Sequence, residues 1–378
     1  MTALERLGSH VAASGRERTS DATRELVELH LIDTVGALIA STRTVEGSSL
    51  LQFRAAMRAR GQGAWTLDLA TRCALARLSE IDDIHLPSMT TPGAIVIPGA
   101  LTLAAPAVGH HNAATTARWF AVGNAARNGL NAALAAQQGF TSDRKLFEGR
   151  VLPDVLGVTP DVAALTDGLG ERVALTEVSF KPWCAARQTM AATQALKDIL
   201  ASGIAPAAID EIAVSVLPPH LKMIDHGVVA GDRASHLTSV QYRMALAALA
   251  PEMAFDVQQT PPDLPSAVRG LMAKIKVEAD ARLLADYPVS WPARVRVAAG
   301  SARHERDVTH VPGDPARPFD RESVRKKFLR FTQPVLGAEK AARILARCSG
   351  VLATGAFSSL VDEIEQACSM DSRPGFPS

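Results

Sequence analysis

Between residues 20 and 41, Leu29, Ile32, Gly36 and Ile39 recur at three to four positions, behind Ser20 and Asp21, either of which can cap a helix. The spacing predicts an amphipathic helix over 20–41. Gly36 in its middle costs about 1 kcal/mol against alanine, which close approach of a neighbouring helix would explain. Alanine-rich stretches at 100–108 and 121–138 predict further helices, the second ended by Gly139. Up to about residue 165 nothing alternates like a strand. Short alternating or β-branched runs then predict strands at Val173–Phe180, Ile209–Leu217, Lys274–Glu278 and Trp291–Ala298, with helices at 186–201 and 237–250 between them. From Asp320 a capped helix carries Val324, Phe328 and Phe331, and two more are expected at 337–348 and 357–368, the last with Leu360, Ile364 and Cys368 on one face. The pattern is that of an α+β module flanked by helical stretches.

Composition adds limits. The 378 residues suffice for two domains and a large core. At 47% hydrophobic and 21% charged, the chain has the make-up of a folded globular protein. Forty Lys and Arg nearly balance 39 Asp and Glu, so no electrostatic reason exists to expect nucleic acid or an anionic membrane as partner. Cys73, Cys184, Cys348 and Cys368 are widely spaced, which fits reduced thiols in a cytoplasm. The first six residues lack the apolar core of a secretory signal, and the run Gly93–Gly109 is broken by prolines and shorter than the roughly 20 residues of a membrane span. No ligand spacing for a metal and no glycine-rich nucleotide loop occurs, so no cofactor is expected.

The chemistry-bearing stretch is Ser79-Glu80-Ile81-Asp82-Asp83-Ile84-His85-Leu86-Pro87, followed by the apolar run from Pro92 to Leu101. Three carboxylates and a histidine beside a hydrophobic wall suit proton transfer, because desolvation moves their pKa values toward neutrality. The same residue types also fit a solvated helix end followed by a core helix.

The stretch resembles the active-site loop of the MmgE/PrpD family, which includes 2-methylcitrate dehydratases, cis-aconitate decarboxylases and an iminodisuccinate epimerase. Further likenesses follow in order over nearly the whole chain: Leu31-Ile32-Asp33-Thr34-Val35-Gly36, Asn124 to Gly149, Ser179-Phe180-Lys181-Pro182-Trp183-Cys184, Ala285 to Val295, and Gly313-Asp314-Pro315 with Pro334 to Gly337. What the resemblance implies is an α+β protein with an all-helical domain formed by both chain ends, 1–168 and 320–378, an inserted α+β lid domain at 169–319, and a homodimer. It also implies a metal-independent enzyme that removes a proton beside a carboxylate and expels water or carbon dioxide.

Carried onto this chain, the resemblance makes Lys181 a substrate-binding lysine and Asp82 and Asp83 the paired aspartates of the loop. His85 is an acid/base candidate offset by one position, and a structural histidine fits it equally. Tyr242 could donate a proton or fill core. Arg187 could meet an anion at a helix start or be a surface cation. The departures are Glu80 in place of an aspartate, Ile84 in place of a threonine, Thr90 or Thr91 where a histidine stands beside Pro-Gly, Arg118 near an expected lysine, and Ala186 and Met190 at positions that often hold polar groups. A segment that usually carries another histidine is shortened to the surroundings of His110 and His111. Apolar replacements remove the pairing that a buried tricarboxylate needs. The expected function is therefore a divergent lyase, isomerase or cyclase, acting on a less charged carboxylate- or carbonyl-bearing molecule in specialised biosynthesis. The alternatives are a true 2-methylcitrate dehydratase or cis-aconitate decarboxylase, and a catalytically inactive relative that binds a ligand or a partner.

Overall fold

The computed structural model of the chain describes residues 1–14, 19–60, 65–102, 117–139, 141–258 and 263–368. It is mixed α and β. The N-terminal part runs through α1 (Ala3–Ala13), α2 (Asp21–Ser41), α3 (Val45–Ala59), α4 (Trp65–Leu78), the short strand β1 (Ile84–His85), α5 (Pro92–Thr102), α6 (Ala117–Gln137) and α7 (Val151–Leu156). The middle part holds β2 (Val178–Ser179), α8 (Met190–Leu200), β3 (Glu211–Val216), α9 (Pro218–Ile224), α10 (Arg233–Thr238), α11 (Val240–Leu249), α12 (Ser266–Met272), β4 (Ile275–Ala279), β5 (Ala293–Ala299) and β6 (Ala302–Val308). The chain closes with α13 (Arg321–Leu336), α14 (Ala338–Thr354) and α15 (Phe357–Cys368).

Ser20 caps α2 by accepting the Thr23 N–H at 3.1 Å. The amphipathic expectation holds only for its first two turns. From Leu29 to Ser41 every residue is buried, because α4 packs on one side and α13 on another. The polar positions His30, Asp33 and Thr34 therefore face protein and not water. Gly36 sits against α13: a β-carbon there would lie 3.0 Å from Phe328 Cδ2. This core joins both ends of the chain, with Ile32, Val35 and Ile39 meeting Phe328, Ile344 and Leu360.

A second core lies in the middle part, where Ile212, Val214 and Val216 of β3 and Val295 and Val297 of β5 share a cluster with Leu196 and Leu246. The sheet order is β4-β3-β5-β6, with β3 and β4 parallel and the other pairs antiparallel. Strand β6 has the sequence Ala-Arg-His-Glu-Arg-Asp-Val, and no alternation announces it. It is an edge strand whose exposed charges pair across to β5, Arg294 with Asp307 and Arg296 with Glu305. The strand expected over Val173–Phe180 is corrected: Ala174–Glu177 form a 3₁₀ turn and only Val178–Ser179 are extended. Their partner β1 is two residues long, because the His85 N–H turns away to the Thr90 carbonyl at 2.8 Å. Of the helix expected at 100–108, residues 103–108 lie outside the described residues, and α5 ends at Thr102. Among the described residues no helix is long and apolar enough to cross a membrane, and all four cysteines are buried.

Candidate active site

Where α4 ends, the chain must turn before entering β1. Glu80 makes that turn in the left-handed region, at φ 57°, a conformation that costs a residue bearing a β-carbon roughly 1–2 kcal/mol. Ion pairs hold it there. Arg77 Nη1, in the last turn of α4, lies 2.7 Å from Glu80 Oε1 and 3.3 Å from Asp82 Oδ1. The pairing of β1 with β2 (Ile84 opposite Ser179) sets the next two residues of the second segment, Phe180 and Lys181, beside the acidic turn. Lys181 Nζ is 3.0 Å from Glu80 Oε2 and 3.5 Å from Asp82 Oδ1. The four side chains, two cationic and two anionic, are each at most 7% exposed. A two-residue ribbon thus joins groups a hundred positions apart.

Asp82 is the group in this cluster with the most chemistry available. Burial drives its pKa up to about 6, the charges of Arg77 and Lys181 oppose the rise, and Glu80 and Asp83 add to it. Its Oδ2 is buried and has no hydrogen-bond partner among the described residues. Such a carboxyl can accept or return a proton near neutral pH.

Asp83 faces a different set of partners. Its Oδ2 is 2.8 Å from His30 Nδ1, and its Oδ1 accepts the Gly93 N–H at 2.9 Å. A β-carbon on Gly93 would stand 2.5 Å from Asp83 Oδ2, so the close approach needs glycine. His30 stacks on Phe180 at 4.5 Å between ring centroids, which ties the acidic turn to the residue before Lys181. Lys327 on α13 donates to Asp33 Oδ1 at 2.5 Å and to the Ile81 carbonyl at 2.6 Å. From the middle part, Arg233 donates to the Leu78 and Ser79 carbonyls at 3.1 and 3.3 Å, and the Cys184 thiol to the Ser79 carbonyl at 3.0 Å. A cation on the last carbonyls of α4 complements the helix dipole.

The remaining sequence candidates are dispersed. His85 is not drawn into the cluster: its ring contacts Ser88 Oγ at 2.7 Å and Glu177 Oε2 at 3.4 Å, and the side chain is 23% exposed. Strand alternation explains this, since Ile84 takes the buried face, against Leu86, Leu217 and Trp291. Thr90 bridges to His85, and its Oγ1 meets Ser88. Arg187 is fully buried and so is not a surface cation; its Nη2 donates to both carboxyl oxygens of Asp314, at 2.8 and 2.6 Å, while Nε and Nη1 have no partner among the described residues. Met190 is core. Tyr242 lies on α11 with its hydroxyl buried and unpartnered among the described residues, its ring edge-on to His236 at 5.0 Å. The side chain of Arg118, and both His110 and His111, lie outside the described residues.

Sequence reasoning missed Arg77, His30, Lys327, Arg233 and Arg243. Each lies on a helix, and no local pattern distinguishes it from a helix-surface cation or histidine. Only its surroundings in the fold give it a role.

Residues 183–350 match the family model described as the MmgE/PrpD C-terminal domain. No curated protein matches the chain.

Proposed function

The chain belongs to the MmgE/PrpD family, an enzyme family of dehydratase and lyase type, and from that premise we propose that it is a cofactor-independent acid/base enzyme, a lyase, isomerase or cyclase acting on a small carboxylate- or carbonyl-bearing molecule. The observation that carries the proposal is the buried Asp82 carboxyl, unpartnered at Oδ2 and 3.5 Å from the Lys181 amine.

In this reading a substrate oxygen takes the place of a protein carboxylate on Lys181. The ammonium group, with Arg77 behind it, stabilises the negative charge that develops on that oxygen when the neighbouring carbon loses its proton. Asp82 receives the proton and later delivers it to the leaving group or to another atom on the same face of the substrate. The middle part, 169–319, acts as a lid on the helical body, 1–168 with 320–378, since Lys181, Cys184 and Arg233 from the former all converge on the end of α4 in the latter.

A second reading, a relative that binds without turnover, is favoured by one fact: the four charges of the cluster already satisfy one another, and Lys181 is only 2% exposed. Proton exchange separates the two. The wild-type protein is incubated in D2O with a panel of 2-oxo, 2-hydroxy and unsaturated carboxylic acids, and loss of the α-proton signal is followed by NMR. The proposal expects exchange with at least one compound, at a rate that rises with pH and levels off above about 6, as Asp82 ionises. No exchange across the panel at any pH supports the non-catalytic relative.

A further inference from the structure

Arg243 stands in the middle of α11, between Tyr242 and Met244, on a face that otherwise belongs to the core of the middle part. It is 2% exposed. Its Nε, Nη1 and Nη2 are all buried, and none has a hydrogen-bond partner among the described residues. Other buried arginines nearby have a counter-charge or carbonyl acceptors: Arg77 has Glu80 and Asp82, Arg233 has three carbonyls, and Arg187 has Asp314 at Nη2, although its Nε and Nη1 are unpartnered among the described residues. The guanidinium lies over the Tyr242 ring at 5.5 Å from its centroid, a contact that satisfies no N–H group. Burial lowers its pKa, to about 10, and the ionisable groups acting on it are Cys184, Tyr242 and Arg233, with no carboxylate among them. It therefore carries a full charge at neutral pH with no counter-charge opposite it among the described residues.

A buried cation left without a counter-charge is strongly unfavourable, and a buried donor without an acceptor calls for an explanation in terms of function or an absent ligand. The position of Arg243 supplies one. The Cys184 thiol feels the charges of Arg233 and Arg243 and, more weakly, those of Glu80 and Lys181, and it bonds the Ser79 carbonyl, one residue before Glu80. The orphaned guanidinium and the Lys181 cluster are thus neighbours around one side chain.

We propose that Arg243 is the receptor for a carboxylate of the substrate, gripping an end of the molecule that does not react while a second oxygen function meets Lys181. This rests on the acid/base reading above and narrows its substrate class to dicarboxylic or oxo-carboxylic acids. The planar guanidinium fork matches a carboxylate with two parallel hydrogen bonds. The Tyr242 hydroxyl, also buried and unpartnered, is available as a further donor.

The test uses the full chain and the sodium salts of malonate, succinate, glutarate and adipate, with acetate and sodium chloride at matched ionic strength as controls. Binding is followed by calorimetry and thermal melting in wild type, Arg243→Met and Arg243→Lys. Methionine keeps the length and apolar bulk while removing the charge. Wild type is expected to bind at least one dicarboxylate saturably, Arg243→Met to bind it at least tenfold more weakly, and Arg243→Lys to retain part of the affinity. The ligand-free Arg243→Met protein is expected to melt at the wild-type temperature or above, because an uncompensated charge has been removed. A structural arginine would give the opposite, a lower melting temperature. Unchanged affinity in Arg243→Met, absence of binding in wild type, or a lower melting temperature with affinity intact each overturns the proposal. Binding lost in Arg243→Met with no proton exchange in wild type would leave the receptor standing and remove the catalytic reading alone.

Discussion

Lys181→Ala is expected to lower folding stability by about 3–5 kcal/mol at pH 8 and to abolish α-proton exchange. The estimate follows from counting charges in the buried cluster. Arg77 and Lys181 balance Glu80 and Asp82, and removing one cation leaves an uncompensated carboxylate in a site with almost no solvent contact. Relaxation is restricted, because Glu80 is held in the left-handed region by the same contacts. The excess charge is relieved when one carboxyl binds a proton, so the loss should shrink toward acid: a carboxyl whose folded pKa is raised contributes stability that is present at low pH and lost as pH rises through that pKa. Urea denaturation at pH 5 and pH 8 checks both the size and its pH dependence. A loss of less than 1 kcal/mol at both pH values would mean that the cluster is open to water and that Lys181 has no buried charge to balance.

Asp82→Asn separates chemistry from folding. Losing the group that takes the proton should reduce exchange about 10²–10⁴-fold, while Lys181 and Arg77 remain to bind the substrate oxygen, so affinity should change far less than rate. Its stability signature is equally specific. The Asp82 pKa rises on folding from 3.8 to about 6, so its contribution to wild-type stability is complete below pH 4 and is lost as pH climbs through about 6. Relative to Asp82→Asn, wild type should therefore lose about 2–3 kcal/mol between pH 4 and pH 8 at 1.36 kcal/mol per pKa unit. Equal pH dependence in the two proteins would show that Asp82 titrates as an ordinary carboxylate.

Several parts of this architecture are legible in the sequence. The start of α2 is marked by Ser20, and β3 and β5 are marked by the alternation of Ile212, Val214 and Val216 and of Val295 and Val297, because one face of each strand packs inward. The proximity of Lys181 to Asp82 also follows from the likeness of two separate segments. What fails to show is instructive. Strand β6 is hidden because an edge strand tolerates charge on its exposed face, and Ala174–Glu177 read as a strand although no strand among the described residues pairs with them. His30 and Asp33 look like the wet side of an amphipathic helix, yet α13 and the acidic turn cover them. Arg243 is invisible for a related reason: one arginine in a helix reads as a surface cation until the fold is seen to bury it with no hydrogen-bond partner among the described residues. In each case a helix or strand that is covered on more sides than its pattern implies turns an apparent surface residue into a candidate for chemistry.

Asp82 is a proton-transfer carboxyl in a buried, charge-balanced cluster beside Lys181. This role is tested most directly by the titration of Asp82 itself, observed by NMR in protein carrying carbon-13 at the aspartate side-chain carboxyls and assigned by the signal missing from Asp82→Asn. A midpoint near 6 is expected in the ligand-free protein. A midpoint at or below 4 would contradict that role, because Asp82 would then be a permanently ionised partner of Arg77 and Lys181 with no proton to exchange.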